Sequence, residues 1–154
     1  MALNKNMFYD YLDVDILIRT IYGEARGESR KGKIAVAFIP CTRAKIAAEY
    51  KKIHKKNHPL YGSGTVASAC TMAYQFSCWN LNDSNLPIIN ALNLESIEAQ
   101  PSIEACHIAL EELEVDPSCG ATHYHTINMI PFPNWAEGQK SCAKVGMHIF
   151  YNLG

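Results

Sequence analysis

No stretch of this sequence holds the roughly 20 consecutive apolar residues that a helix needs to cross a bilayer, so no membrane span is expected. Charge of one sign is not in excess either. Fourteen Lys and Arg stand against fifteen Asp and Glu, for a formal net charge of −1. That balance removes any global electrostatic case for nucleic acid or for an anionic membrane as a partner. Neither CxxC nor HExxH occurs, which leaves zinc ribbons and the common zinc-protease motif without support. Six cysteines (Cys41, Cys70, Cys78, Cys106, Cys119 and Cys142) are scattered along the chain, a pattern of buried reduced thiols rather than of a disulfide framework. Repeats and low-complexity segments are lacking. The opening Met1-Ala2-Leu3-Asn4-Lys5-Asn6 has no apolar core of a secretory signal.

What is present fits one domain spanning 1–154, long enough to bury a core without disulfides. Residues 1–12 read as an N-terminal extension. The one basic concentration, Lys51, Lys52, Lys55 and Lys56 with His54 and His58, reads as a solvated helix face.

Apolar spacing then organises the chain. Asp13 is the expected N-cap of a first helix, in which Val14, Leu17, Ile18, Ile21 and Ala25 form one stripe. Gly27 marks its end and Ser29 caps a second helix, which Pro40 is expected to kink or interrupt. Helix resumes from Ala44 to about Lys55, and 58–64 is a loop. A short helix is expected over Thr65–Met72, an aromatic turn over Tyr74–Asn80, and surface loop from Asn80 to Asn90. Pro101 opens another helix with Ile103, Cys106, Leu110 and Leu113 inward, and Asp116-Pro117 stops it. Ala121–Thr126 and Val145–Tyr151 read as two antiparallel strands. Helices first and a small sheet late make an α+β fold.

One residue is out of place on the first helix. Leu17, Ile21, Glu24 and Glu28 fall at i, i+4, i+7 and i+11, so Glu24 continues a row begun by leucine and isoleucine. A carboxylate there is partly desolvated, which raises its pKa and suits it to protonate a glycosidic oxygen. Gly23 beside it leaves room for a bulky substrate. The plain alternative is a glutamate paired with Arg26, Arg19 or a lysine.

Ile21-Tyr22-Gly23-Glu24-Ala25-Arg26-Gly27-Glu28, followed by Gly32 and Ala35-Val36-Ala37, resembles the signature of the SleB/CwlJ-type cell wall hydrolase family. Further matches come in the family's order: Gln75-Phe76-Ser77 with Trp79, Asp116-Pro117, Gly120-Ala121-Thr122-His123-Tyr124, Pro133-x-Trp135 and Gly146-x-His148-x-Phe150-Tyr151. The similarity spans about 15–151. Thr42-Arg43, preceded by Pro40, stands where the family carries Asn-Arg. The resemblance implies a lysozyme-superfamily fold, a mainly helical lobe and a small antiparallel sheet flanking a glycan groove. It also implies cleavage of the bond between N-acetylmuramic acid and N-acetylglucosamine, with Glu24 as catalytic acid and no cofactor. Transglycosylation to a 1,6-anhydromuramoyl end is favoured over a hydrolytic muramidase or glucosaminidase reaction, because one acid is well placed and hydrolysis normally uses two.

The partner is then the peptidoglycan glycan strand. Gln75, Phe76, Ser77 and Trp79 form one expected groove wall and His123, Tyr124 and Trp135 another, with Glu28, Arg26 and His148 as secondary candidates. The chain's opening fits a phage endolysin made in the cytoplasm and released to the wall by a holin-type pore. A bacterial enzyme whose export signal has been removed fits nearly as well. The competing class is a zinc-dependent amidase or peptidase using His123, His125 and His148, since i, i+2 histidines on a strand point the same way. A non-catalytic glycan-binding module leaves Gly23-Glu24 unexplained.

Overall fold

The computed structural model describes residues 9–154; the N-terminal extension lies outside the described residues as far as residue 8. Tyr11 and Leu12, expected in that extension, already belong to helix α1 (Tyr11–Ala25). Its N-cap is Asp10, not Asp13. The Asp10 side chain accepts from Asp13 N–H at 3.0 Å, and Asp13 Oδ2 accepts from Asp10 N–H at 2.9 Å. This reciprocal pair satisfies donors that a helix start otherwise leaves open. The other oxygen of Asp13 accepts from Ala67 N–H at 2.8 Å, at the start of α3 (Val66–Thr71).

Helix α2 (Arg30–His54) starts where Ser29 Oγ accepts from Gly32 N–H. It runs on through Pro40 without the interruption that a proline can cause. A proline removes one backbone donor, at about 3 kcal/mol within a helix. Here both flanks are pinned by buried residues (Ala37, Phe38, Ile39, Cys41 and Ala44), and each large apolar side chain fully buried contributes about 1.5–3 kcal/mol. Packing outweighs the local defect.

The 80–90 segment, expected as loop, contains a helix, α4 (Asn85–Ala91). Arg19 on α1 donates through Nη1 to Ile89 O at 2.6 Å and Leu92 O at 3.0 Å, closing the open carbonyl end of α4. Helix α5 (Gln100–Glu111) has Pro101 in its first turn as expected. Cys106 and Leu110 face the core, whereas Leu113 lies past the helix end and is exposed.

The sheet has three strands: β1 (His123–Thr126), β2 (Ala143–Val145) and β3 (His148–Tyr151), all antiparallel in the order β1-β3-β2. The expected last strand is thus a hairpin. Gly146 has φ +58°, and a Cβ there would meet Glu28 Oε1 at 2.8 Å. Only glycine combines that backbone with that neighbour. Glu28 Oε1 also accepts from Met147 N–H at 3.0 Å, tying the hairpin turn to the end of α1.

Two apolar clusters result. One joins α1, α2, α3 and α5 through Leu17, Ile18, Ile21, Phe38 and Leu110. The other joins α1 and α2 to the sheet through Val36, Ile39, Phe76, Ile89 and Phe150. Four cysteines are buried as expected, but Cys119 and Cys142 are exposed, and all six are free thiols.

Candidate active site

A groove of about 650 Å³ lies between the end of α1 and strand β1, with Glu24 and Tyr124 both in its lining. Glu24 is half-buried. The hydroxyl of Tyr124 donates to Glu24 Oε1 at 2.6 Å. The backbone N–H of Cys78 donates to Oε2 at 3.2 Å, and Ser77 Oγ stands 3.5 Å from the same oxygen. No basic side chain takes up this carboxyl group among the described residues. Arg19 is paired with Asp15 at 3.2 Å, and Arg26 donates to Tyr22 O and to Asn85 Oδ1. The plain ion-paired reading of Glu24 is therefore overturned.

Gly23 lines the groove, and its missing side chain has a further role. A Cβ there would fall 2.7 Å from Cys78 Cβ and 2.9 Å from Ile89 Cγ2. The missing side chain makes room for the protein itself, and this close approach brings Cys78 N–H to Glu24. Burial, with Glu24 close by adding to it, holds the Tyr124 hydroxyl well above the usual tyrosine range. Tyr124 therefore stays a neutral donor at any physiological pH.

Gln75, Ser77, His123, Tyr124, Trp135 and His148 all reach the groove. Phe76 and Trp79, expected in its wall, do not line it. Phe76 is 1% exposed beneath the groove, and Trp79 Nε1–H donates to Thr20 Oγ1 at 2.9 Å, fixing its ring against α1. Arg26 and Glu28 also lie outside the lining. His148 Nδ1 is 3.2 Å from Glu28 Oε1 but forms no hydrogen bond, because the ring is not directed along that line.

Strand register separates the three histidines. Thr126 faces His148 across the β1–β3 ladder, and His125 faces Ile149. Directly paired residues share a sheet face and neighbours alternate. His148 is accordingly on the Tyr124 face, its ring centroid 4.9 Å from that of Tyr124, while His123 and His125 are on the other. His125 is already held by Tyr151 Oη and Thr126 O, both at 2.8 Å. The three-histidine zinc site of the competing reading does not form, and no group of three potential ligands gathers among the described residues. The pKa of His123 is pushed down to about 4 by burial and by Arg43, and that of His148 is lowered by burial.

A family model for cell wall hydrolases matches residues 27–151. The chain belongs to the cell wall hydrolase family. It is an enzyme, and peptidoglycan is its substrate class. Its fold resembles the catalytic domain of the germination-specific lytic transglycosylase SleB from Bacillus anthracis, with TM-score 0.66 and 22% identity over 94% of this chain and 97% of that one. It also resembles the catalytic domain of the Bacillus cereus SleB protein, with TM-score 0.65 and 20% identity over 97% and 98%. The lysozyme-like α+β architecture is thereby established. No curated protein sequence matches the chain significantly.

Several groove residues of this cell wall hydrolase are not site candidates from the sequence, Tyr74 and Arg43 among them. Tyr74 is 86% exposed at the groove, with φ +64°, and nothing in its neighbours' spacing signals this. Arg43 lines the groove although it is only 4% exposed. Its signal was present, an arginine among the apolar and small residues of α2, but it drew notice only as part of the Thr42-Arg43 departure.

Proposed function

We propose that this cell wall hydrolase cleaves the bond between N-acetylmuramic acid and N-acetylglucosamine as a lytic transglycosylase, with Glu24 as general acid and then general base. One observation carries the reading: Glu24 is the single Asp or Glu among the residues lining the groove. Hydrolytic glycosidases ordinarily work with two carboxyl groups across the scissile bond. The nearest second one in sequence, Glu28, is bound to the β2–β3 turn. With one carboxyl group, the nucleophile is best supplied by the substrate.

The protonated Glu24 carboxyl gives its proton to the leaving oxygen as the bond from muramic C1 breaks with its electron pair going to that oxygen. The substrate's acetamido group stabilises the positive charge at C1. The carboxylate so formed is held by Tyr124 O–H and Cys78 N–H, donors already aimed at its two oxygens. Such fixed donors favour charge that develops during the reaction. Glu24 then takes the proton of the muramic C6 hydroxyl while O6 bonds to C1, closing the anhydro ring and restoring the acid.

The test is Glu24→Gln on purified sacculi. Loss of at least about a hundredfold in the rate of turbidity decrease, with an unchanged circular dichroism spectrum, is expected for removal of a general acid. Mass spectrometry of wild-type products should show muropeptides lighter than hydrolytic ones by one water. Hydrated reducing ends, or an active Glu24→Gln enzyme, would sink the reading.

A further inference from the structure

We propose that Arg43 and Gln75 form a subsite in the groove that takes the acetamido carbonyl of an N-acetylated sugar and rejects a free amine in its place. The idea rests on the glycan-cleaving reading above and adds a requirement on the substrate's acylation.

Arg43 is a buried cation without a carboxylate counter-ion within ion-pair distance among the described residues. Its flat faces are covered by Tyr61 and Phe76, whose ring centroids lie 5.1 Å and 5.0 Å from Cζ. Nε donates to Thr122 O at 2.8 Å and Nη1 to Gln75 Oε1 at 3.2 Å. A guanidinium has five N–H donors, and these two bonds leave the Nη2 edge unused, with Arg43 in the groove lining. A buried charge left short of partners is costly. The groove is the direction from which an acceptor can come.

Gln75 extends the pattern. Because a guanidinium only donates, the amide oxygen of Gln75 must face Arg43. That orientation leaves the amide NH2, with two donors and no protein partner among the described residues, in the groove lining. Two neighbouring side chains therefore offer N–H groups and positive charge, and no acceptor. Their complement is an acceptor oxygen. On an N-acylated amino-sugar polymer, the acyl group at C2 supplies a carbonyl acceptor on every ring. Removing the acyl group replaces that acceptor with an ammonium, which meets a like charge and no lone pair. Glu24 shares the groove, so recognition and chemistry fall on the same stretch of glycan.

Binding is measured by co-sedimentation of the full-length Glu24→Gln protein with insoluble sacculi, one half chemically re-N-acetylated and the other de-N-acetylated. This separates recognition from cleavage: failure of the glycosidase reading appears in the activity and product assays, whereas failure of the subsite appears only in this ratio. The expected preference for the N-acetylated material is about tenfold or more, as for a site whose polar groups would otherwise be left unpaired. Adding Gln75→Glu places a carboxylate against Arg43, neutralising it and removing the amide donors without emptying space. The preference should then collapse to within about twofold while the melting temperature holds or rises. Arg43→Lys keeps the charge but loses the planar fork, and should lower the preference several-fold. Equal binding of both materials by the Glu24→Gln protein, or an undiminished ratio in the folded Gln75→Glu double variant, would overturn the proposal.

Discussion

The hydroxyl of Tyr124 and the carboxyl group of Glu24, 100 residues apart in sequence, meet at 2.6 Å across the groove. One comes from the first strand and the other from the last turn of the first helix. The hydrogen bond aims Glu24 into the groove, and the Tyr124 ring is packed in turn against Phe150 and His148, with centroids 5.7 Å and 4.9 Å away.

Tyr124→Phe keeps that ring packing and deletes only the donor. Loss of one preorganised donor to a developing charge typically lowers kcat about a hundredfold, and the melting temperature should move little. Turbidity kinetics and thermal unfolding measure the two. A variant with wild-type kcat would remove Tyr124 from the proposed chemistry.

Gly23→Ala tests the close approach of α1 to the 77–79 turn. The added Cβ would overlap Cys78 and Ile89, and overpacking of this kind costs about 1–3 kcal/mol. Because the displaced neighbour carries the N–H that reaches Glu24, activity should fall further than stability explains. Urea unfolding at neutral pH, beside kcat of the folded fraction, separates the effects. An unperturbed midpoint would show that the turn gives way freely.

Tyr74 holds a left-handed backbone conformation, φ +64°, which costs a side-chain-bearing residue on the order of 1–2 kcal/mol. Tyr74→Gly relieves that strain and loses only an exposed ring. Stability should therefore be equal or up to about 1 kcal/mol higher, while KM for sacculi rises several-fold. The opposite pairing, a weaker fold with unchanged KM, would make the ring structural instead of substrate-facing.

Acid should weaken the fold through its histidines. His123, with a folded pKa of about 4, and His148, also lowered, both take protons more readily when unfolded. In the window between the ordinary histidine value, about 6.5, and about 4, the unfolded chain binds more protons than the native one. Stability therefore rises with pH through that window and drops as pH falls below 6.5. Urea midpoints at pH 7 and pH 4.5 measure this. In His123→Asn the difference should shrink, and an undiminished difference would assign it to other groups.

Periodicity was enough to find α1 and its buried stripe, because a helix places i, i+4 and i+7 on one side whatever lies beyond it. The same rule carried Glu24 to the rim of the apolar face. Short-range chemistry was legible as well: Ser29 caps α2 and Pro101 opens α5. Where local signals misled, the deciding neighbours were distant. Pro40 stays helical because buried residues hold both its flanks, and α4 forms with Arg19 of another helix closing its end.

By itself, then, the order of residues determined α1, the start of α2 and of α5, the α+β class and a carboxyl group set on an apolar stripe. Each depends on neighbours within a turn or two. Tertiary structure decided what that carboxyl group touches. It brought Tyr124 and Cys78 N–H to Glu24, put Gly23 against Cys78 and Ile89, and joined Arg43 to Gln75. It also put His148 on the opposite sheet face from His123 and His125, through a strand register that a one-residue slip would have reversed. Such contacts are set by how whole elements pack, over separations that no local pattern spans.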